Sequence, residues 1–450
     1  MIQIYERQQA EKTILKRVAL NQSNPPQAIL DKISHLFGER ISADEAVKRI
    51  LADVAERGDV ALRLWTEKID GISLAQLRVP VLEIRNAWER LSPEVQEALI
   101  TAAQRIEKFH RHQPAASWVI ENLGGKLGQI IRPIENVGLY IPAGSAPLPS
   151  TVLMSAIPAR VAGVKRVVMV TPPRPNEPRV ADVILGAAHL CGVEEIYTLG
   201  GAQAIGALAF GSESIPRVDK IVGPGNLFVT LAKQQVFGVV GIDGLAGPTE
   251  TMIIADDSAN PQWVAADLLA QAEHDVLASA ILLTPARQLA GAVQIEIERQ
   301  IQGDGTTAGL SRAAIIAQSL ANRSGIVLTA DIPEAIALAN TYAPEHLALS
   351  LKDAHRWIDQ IKNAGGVFVG EHSFEVLGDY VAGPSHVMPT SGSARFASPL
   401  NVWDFLHIIS LVALDADAAQ KLARSAAILA RSEGLDAHAQ AAQKRVREYP

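Results

Sequence analysis

The spacing of apolar and polar positions changes along this chain. From about residue 136 onward, short apolar runs rich in β-branched residues alternate with segments of helical spacing. The runs that we predict as strands form two series: 137–141, 166–170, 195–199 and 220–222, then 251–255, 279–283, 325–329, 347–351 and 366–369. Because strands that alternate with helices build parallel sheets, the pattern predicts an α/β fold with two such sheets.

Both ends of the chain have a helical pattern instead. In the first 115 or so residues, Ser42 precedes a helix that runs through Val54, and Ser92-Pro93 supplies an N-cap and a first-turn proline for a second helix. From about Asp415 an alanine-rich helical segment follows, with a break near Glu433-Gly434. We therefore expect helical segments on either side of the two sheets.

Composition narrows the class of protein. A length of 450 residues predicts two or three domains, and 48% hydrophobic with 20% charged residues is typical of a soluble globular enzyme. The net charge of -7 argues against a general nucleic-acid binder. No apolar run has the length of a signal-peptide core or a membrane span, so we expect a cytoplasmic protein. The single cysteine, Cys191, excludes an internal disulfide and a cysteine-based zinc site, and its apolar surroundings predict a core residue.

The first candidate chemistry is an adjacent pair, Glu345 and His346, just before a predicted strand. A glutamate can accept a proton from water and a histidine can accept one from an alcohol, so the pair could serve two successive steps. The alternative is a half-exposed pair at the start of a strand. The sequence pattern alone leaves both interpretations open.

Glycine-rich strand ends are candidates for a nucleotide site. The pattern at 303–308 follows a polar helix, whereas a dinucleotide fingerprint needs a strand before it, so we reject that pattern. The segments 200–205 and 223–226 do follow predicted strands, where helix N-termini favour phosphates. Tyr140, near Gly144 at another strand end, could form an aromatic wall of this site. The alternative is that these glycines only allow tight turns and bind no nucleotide.

A metal site has weaker support from spacing. Asp267, Gln271 and His274 are spaced i, i+4, i+7 on one face of a helix predicted to begin at Asn260-Pro261. A histidine near a helix C-terminus is also explained by the helix dipole. The loops at 378–386 and 247–250 are each either turns or loops that face a ligand.

Four motifs together carry a family resemblance. They are QAEH at 271–274, APEHL at 343–347, GDYVAGPSH at 378–386 and EGLDAHA at 433–439. In order and spacing, from about Ile134 to Arg445, the chain resembles histidinol dehydrogenase. The resemblance implies a zinc enzyme that oxidises L-histidinol through L-histidinaldehyde to L-histidine with two NAD, the last steps of histidine biosynthesis.

The resemblance also assigns roles to residues. Glu345 and His346 are similar to the family's catalytic acid-base pair. The implied zinc ligands are Gln271, His274, Asp379 and His438; these six residues, together with Thr249, His386 and Glu433, are the implied substrate contacts. The implied NAD contacts are Tyr140, Gln203 and Asn226.

The implied architecture has two similar α/β domains of incomplete Rossmann topology. The expected boundaries are an N-terminal segment at 1–25, a first domain at 26–135 plus 252–395, an inserted second domain at 136–251, and a C-terminal helical arm at 396–450. The family forms an intertwined homodimer in which the arm completes the partner's site, so His438 and Glu433 would act in trans.

Four positions depart from the family pattern and keep alternatives open. They are Thr249 (usually Ser), Phe374 (usually Pro), Ser385 (usually Asn) and His407 (usually Lys). A paralogue that oxidises another primary alcohol is the first alternative. A metal-dependent hydrolase without a cofactor and a binding protein without turnover are the others.

Overall fold

The computed structural model describes residues 2–17, 27–143, 146–303 and 309–446. Gly144, most of the rejected glycine pattern at 303–308, and part of the expected segment 1–25 lie outside the described residues. Among the described residues, no helix is both long and apolar enough to cross a membrane.

The described strands and helices follow in chain order. The strands are β1 (Ile4–Glu6), β2 (Trp118–Ile120), β3 (Gly125–Pro133), β4 (Asn136–Tyr140), β5 (Arg166–Thr171), β6 (Glu195–Thr198), β7 (Lys220–Val222), β8 (Gly241–Ile242), β9 (Glu250–Ala255), β10 (Ser279–Thr284), β11 (Gly325–Leu328), β12 (His346–Ser350), β13 (Gly366–Val369) and β14 (Leu406–Leu414). The helices are α1 (Arg7–Lys12), α2 (Gln27–Phe37), α3 (Ala43–Arg57), α4 (Asp59–Asp70), α5 (Val81–Arg90), α6 (Pro93–His110), α7 (Pro149–Ala162), α8 (Asp182–Leu190), α9 (Gly201–Phe210), α10 (Leu227–Val236), α11 (Pro261–Ala272), α12 (Arg287–Gln302), α13 (Ala313–Asn322), α14 (Ile332–Tyr342), α15 (Glu375–Tyr380), α16 (Ala416–Ser432) and α17 (Asp436–Gln443).

The chain divides into two compact units. One comprises residues 1–112 and 135–404, and the other comprises residues 113–134 and 405–450. The second unit holds the antiparallel sheet β14-β3-β2 and the helices α16 and α17. Residues 396–450 therefore contain a nine-residue strand as well as the expected helices.

The first unit holds two parallel sheets with the same strand order. One is β6-β5-β4-β7-β8, and the other is β1-β11-β10-β9-β12-β13, in which β1 is an added edge strand. Apart from β1, the first strand of each sheet in sequence, β4 or β9, lies inside the sheet, the next two follow on one side and the last two lie on the other. This order places a topological switch point between β4 and β7 and another between β9 and β12. The predicted α/β fold with two parallel sheets is confirmed.

Local sequence explains the elements that were predicted correctly. All nine predicted strands are present, with ends shifted by at most one residue. The Ser42 hydroxyl accepts the Glu45 N–H at 3.1 Å, and Ser92 caps α6 in the same way at Val95. Strands β9, β10 and β12 are buried along their whole length, as central parallel strands are when helices cover both faces. Cys191 is a core residue, as predicted.

Candidate active site

The Glu345-His346 pair lies at the beginning of β12, directly after helix α14. Ala343 ends the helix in a left-handed conformation with φ 52°, and this turn directs the next residues into the sheet. Glu345 and His346 are 7% and 3% exposed. The interpretation of a half-exposed pair is therefore wrong.

The two ring nitrogens of His346 have different surroundings. Nδ1 lies 3.2 Å from the backbone carbonyl of Glu250, which can only accept, so Nδ1 carries the hydrogen. Nε2 is buried, has no hydrogen-bond partner among the described residues, and lies 3.5 Å from Asp379 Oδ1. In its neutral form the ring therefore presents a free lone pair at Nε2.

Glu345 is held from the beginning of the neighbouring strand β9. The Thr249 hydroxyl and the Glu250 N–H both donate to Glu345 Oε2, at 2.6 and 2.9 Å. Burial raises the pKa of Glu345 to about 7, although His346 and these donors oppose the rise. A carboxyl group with this pKa can exchange a proton with water near neutrality.

Gln271 and His274 differ in how helix α11 places them. The Gln271 side chain is buried, and its amide lies 2.7 Å from Thr249 Oγ1 and 2.8 Å from Glu375 Oε1. The helix ends at Ala272, so the prediction that His274 belongs to it is wrong; its N–H bonds the Gln271 carbonyl in the turn beyond. The His274 side chain reaches solvent. Partial burial lowers the pKa of His274. The charge of Asp379 raises it, but by less.

Helix α15 brings two carboxylates to the same histidine. Glu375 and Asp379 are four residues apart, so both lie on one face of the helix. Glu375 Oε1 is 3.7 Å from His346 Nδ1, while Asp379 Oδ1 faces Nε2 on the other side of the ring. Donor atoms of the three side chains all lie within 4.8 Å of one another.

His386 joins this group to the five-stranded sheet. Its Nδ1–H donates to the Asp379 carbonyl at 2.8 Å, and its Nε2 lies 3.2 Å from the Thr151 hydroxyl. Thr151 belongs to α7, the helix that follows β4. Burial lowers the pKa of His386, which favours the neutral ring. The beginnings of β9 and β12 are thereby connected to the region beyond the end of β4.

The predicted nucleotide contacts lie at the carboxyl ends of the five-stranded sheet. Tyr140 ends β4, and its hydroxyl accepts the Gly201 N–H at 3.2 Å. Asn226 caps helix α10 by accepting the N–H groups of Phe228 and Val229. Gln203 is fully buried, and neither end of its amide has a hydrogen-bond partner in the described part of the chain.

The remaining predicted residues lie in the second unit. Glu433 follows the last turn of α16, and His438 lies in the first turn of α17. Both are exposed. The first unit brings together Thr249, Gln271, Glu345, His346, Asp379 and His386. The charge of Asp379 also acts on His274.

The chain is similar to known proteins over most of its length. The family profile described as histidinol dehydrogenase matches residues 38–446. The chain belongs to the histidinol dehydrogenase family. Histidinol dehydrogenases of Deinococcus radiodurans and Thermus thermophilus are 49% and 51% identical to it; the matches cover 94% and 88% of this chain and 95% and 93% of theirs. The crystal structure of histidinol dehydrogenase from Elizabethkingia anophelis is 38% identical with a TM-score of 0.87, over 99% of this chain and 98% of that one.

Membership of the histidinol dehydrogenase family implies zinc, and the donor groups fit this metal. Burial raises the pKa of Asp379, but contact with His346 outweighs it and lowers the pKa, so this carboxylate is ionised. An ionised carboxylate, the imidazole of His274, whose pKa is lowered, and an amide oxygen form an N/O donor set that suits zinc.

The charge balance supports the same fit. Burial lowers the pKa of His346, but the carboxylates of Glu375, Glu345 and Asp379 outweigh burial and raise it well above its usual value. Burial also raises the pKa of Glu375 to about 8, against the effect of His346. A bound cation would offset this concentration of buried acids and return His346 towards the neutral form.

Sequence reasoning missed Glu375 as part of the site. The sequence contained one signal, its spacing of four residues from Asp379, which suits two side chains that approach one ligand. Its contacts with Thr251 and Gln271 arise only in the folded chain. The compact group His346, Glu375 and Asp379 shares only Asp379 with the predicted ligand set.

Proposed function

We propose that this chain oxidises L-histidinol through L-histidinaldehyde to L-histidine, with zinc and two NAD. The observation that carries the proposal is the buried Glu345-His346 pair, in which His346 Nε2 has no hydrogen-bond partner among the described residues. A base with an unpaired nitrogen next to a second, separately held acid suits two successive proton transfers.

The two residues divide the proton transfers. When bound, zinc would hold the substrate's nitrogen atoms and NAD would accept one hydride in each oxidation. His346 Nε2 accepts the proton of the alcohol in the first oxidation, since Nδ1 is turned to a carbonyl. Glu345 accepts a proton from the water that adds to the aldehyde before the second. Thr249 and Glu250 hold the Glu345 carboxylate through Oε2, so Oε1 is the oxygen that would meet this water.

The proposed zinc ligands are Gln271, His274, Asp379 and His438. Asp379 is supported by its place beside His346, Gln271 by its contact with Glu375 next to the same ring, and His274 by the effect of the Asp379 charge on it. The proposed NAD contacts, Tyr140, Gln203 and Asn226, are supported by the switch point between β4 and β7, where ligands bind in open α/β sheets.

We further propose an intertwined homodimer in which His438 and Glu433 act in the partner's site. Support comes from the large apolar side chains that the second unit exposes, since exposed apolar patches mark surfaces that bind another protein. They are Ile408, Ile409 and Val412 on β14, and Leu422, Ile428 and Leu429 on α16. A second copy of the chain would cover these faces.

The departures from the family pattern leave the groups of the proposed histidinol site in place. Thr249 keeps the hydroxyl that bonds Glu345. The Ser385 hydroxyl is buried and donates to the Met154 carbonyl, so it serves the fold. Phe374 and His407 are exposed. None of the four removes a proposed ligand or a proton-transfer group.

The test is the stoichiometry of NAD reduction by the zinc-loaded protein. Two NADH per L-histidinol consumed, with L-histidine as product, is the expected result. One NADH with release of the aldehyde would contradict the two-step proposal. Turnover of another primary alcohol but not of histidinol would assign the chain to the paralogue.

A further inference from the structure

We propose that Glu375 is a positioning residue that fixes the amide orientation of Gln271. The proposal rests on the proposed function, which makes Gln271 a zinc ligand. Glu375 itself has no role in the two proton transfers, although it is 4% exposed and lies beside His346. Such a buried carboxyl group needs a physical reason for its place in the site.

The surroundings of Gln271 distinguish the two ends of its amide. With the nitrogen towards Glu375, Nε2 donates to Oε1 at 2.8 Å, and the amide oxygen accepts the Glu250 N–H at 2.7 Å. The Thr249 hydroxyl oxygen also lies 2.7 Å from the amide oxygen, but its single hydrogen is donated to Glu345. With the amide reversed, the nitrogen can donate to Thr249 Oγ1, but it also meets the Glu250 N–H, and the oxygen meets the carboxyl oxygen of Glu375. The first orientation makes two hydrogen bonds and the reversed one makes one, so the first is preferred.

Glu375 is itself held rigidly. It begins helix α15, and its Oε2 accepts the hydroxyl of Thr251, a fully buried residue of the central strand β9. Oε1 is therefore the oxygen that remains to accept from Gln271. This fixes the acceptor on one side of the amide and leaves little freedom for it to turn over.

The orientation matters because the two ends of an amide differ as metal ligands. The oxygen has lone pairs to give, whereas the nitrogen lone pair is delocalised into the carbonyl. Residues that orient a ligand in this way typically change metal affinity about 10–100-fold when replaced. Glu375 would thus act on zinc through Gln271.

The experiment measures the zinc dissociation constant of the metal-free full-length chain at one pH, by competition with a chromophoric chelator. Glu375→Gln offers Gln271 both a donor and an acceptor, so both amide orientations become possible. We expect zinc affinity to fall about 10–100-fold. Glu371→Gln is the matched control: it removes one charge from a nearby loop and keeps an oxygen for the Asn260 N–H. It should bind zinc like the unmodified chain.

A double variant with the two side chains exchanged should restore zinc binding. Combining Glu375→Gln with Gln271→Glu exchanges donor and acceptor, and a carboxylate has oxygen at both ends, so orientation no longer matters. The double variant should bind zinc more tightly than Glu375→Gln alone. A merely structural role for Glu375 would not predict this recovery. If Glu375→Gln does not fold, the double variant decides: tight zinc binding supports the proposal and weak binding overturns it.

The outcomes separate this proposal from the function on which it rests. Gln271→Ala should weaken zinc binding if Gln271 is a ligand. If it does, but Glu375→Gln binds as tightly as the unmodified chain, the positioning role alone is overturned. If Gln271→Ala has no effect on zinc binding, the ligand assignment and the positioning role both fail.

Discussion

The carboxyl group of Asp70, in the last turn of helix α4, has an oxygen that is buried and has no hydrogen-bond partner among the described residues. Burial raises its pKa from 3.8 to about 6. Burial also raises the pKa of Glu345, but Thr249 and Glu250 donate hydrogen bonds to its carboxylate. The cost of burying Asp70 therefore has no local compensation, whereas Glu345 is held by its neighbours.

Asp70→Asn should stabilise the chain at neutral pH. Because the folded-state pKa lies above the unfolded one, ionisation disfavours the folded state as pH rises from about 4 to 6 and remains unfavourable above that range. Removing the charge should raise the free energy of unfolding at pH 7 by about 2–3 kcal/mol, and the gain should vanish below about pH 4.

Denaturant unfolding at several pH values measures the effect, with the exposed Asp353→Asn as control. An equal change at pH 4 and pH 7 would show that burial of the ionised group is not its cause.

The sequence alone identified the residues of the site that lie in local motifs. Glu345 and His346 are adjacent, and Gln271 and His274 share one short segment, so their proximity was already visible. Glu375 was missed because its partners, Thr251 and Gln271, are more than a hundred residues away. The extent of burial of Glu345 was also missed, since it depends on the strands packed beside it.

Among the elements, the glycine after β7 has a geometric role. Gly223 has φ of +116°, and an added Cβ would lie 2.2 Å from the carbonyl oxygen of Tyr140. Lys233 and Asp243 hold the same turn. Lys233 donates to the Gly223 carbonyl at 3.0 Å, and Asp243 accepts the Gly223 N–H at 2.7 Å. The turn therefore packs tightly against the end of β4, at the switch point.

Gly223→Ala should weaken NAD binding, because the methyl group must push the turn away from Tyr140. We expect KM for NAD to rise at least about 10-fold, the effect of a displaced positioning element. Gly244→Ala is the control, since its Cβ would have nothing within 4 Å. Steady-state kinetics with varied NAD measure both, and equal KM values would contradict a nucleotide site at this turn.

The turn before Glu345 is held by Arg17. Its guanidinium donates to the carbonyls of Tyr342 and Ala343 at 2.8 and 3.1 Å and pairs with both carboxylate oxygens of Glu250. Glu250 is 2% exposed, and its backbone contacts both Glu345 and His346. This ion pair connects the N-terminal segment to the beginnings of β9 and β12.

Arg17→Met should leave the Glu250 carboxylate buried and unpaired. Removing one partner of such a pair costs roughly 3–5 kcal/mol in free energy of unfolding. The control is Arg7→Met, which removes exposed ion pairs to Glu11 and Glu334 and should change stability little. Similar losses for both variants, measured by urea unfolding, would contradict a special role for Arg17.

The strands differed in how far sequence could predict them. The central parallel strands read as apolar runs because both of their faces are buried. The short strands β1 and β8 lack such a run, and β3 pairs with β14 from the far end of the chain. Antiparallel pairing at that separation leaves no local signal.

At the scale of the whole molecule, the proposed functional residues lie at opposite strand ends in the two parallel sheets. The proposed NAD contacts lie at the carboxyl ends of the five-stranded sheet, whereas Glu345, His346 and Thr249 lie at the beginnings of strands in the six-stranded sheet. The repeated strand order was predictable only as two series of strands. The contact between His386 and Thr151 forms only in the folded chain, so the sequence could not predict it.

A shared site predicts complementation between two inactive variants. His438→Ala and His346→Asn, co-refolded in equal amounts, should form heterodimers with one intact site if His438 acts in trans. Activity should recover to about one quarter of the unmodified level, since half of the dimers are mixed and each has one working site of two. Purified heterodimers without activity would contradict a site built from two chains.

The division of labour between Glu345 and His346 is the central claim, and separate half-reactions test it most directly. Single-turnover NADH formation is followed with L-histidinol and, separately, with L-histidinaldehyde, for zinc-loaded His346→Asn and Glu345→Gln. His346→Asn should slow alcohol oxidation about 10²–10⁴-fold and aldehyde oxidation much less, and Glu345→Gln should show the reverse. Equal losses in both half-reactions for either variant would contradict the account.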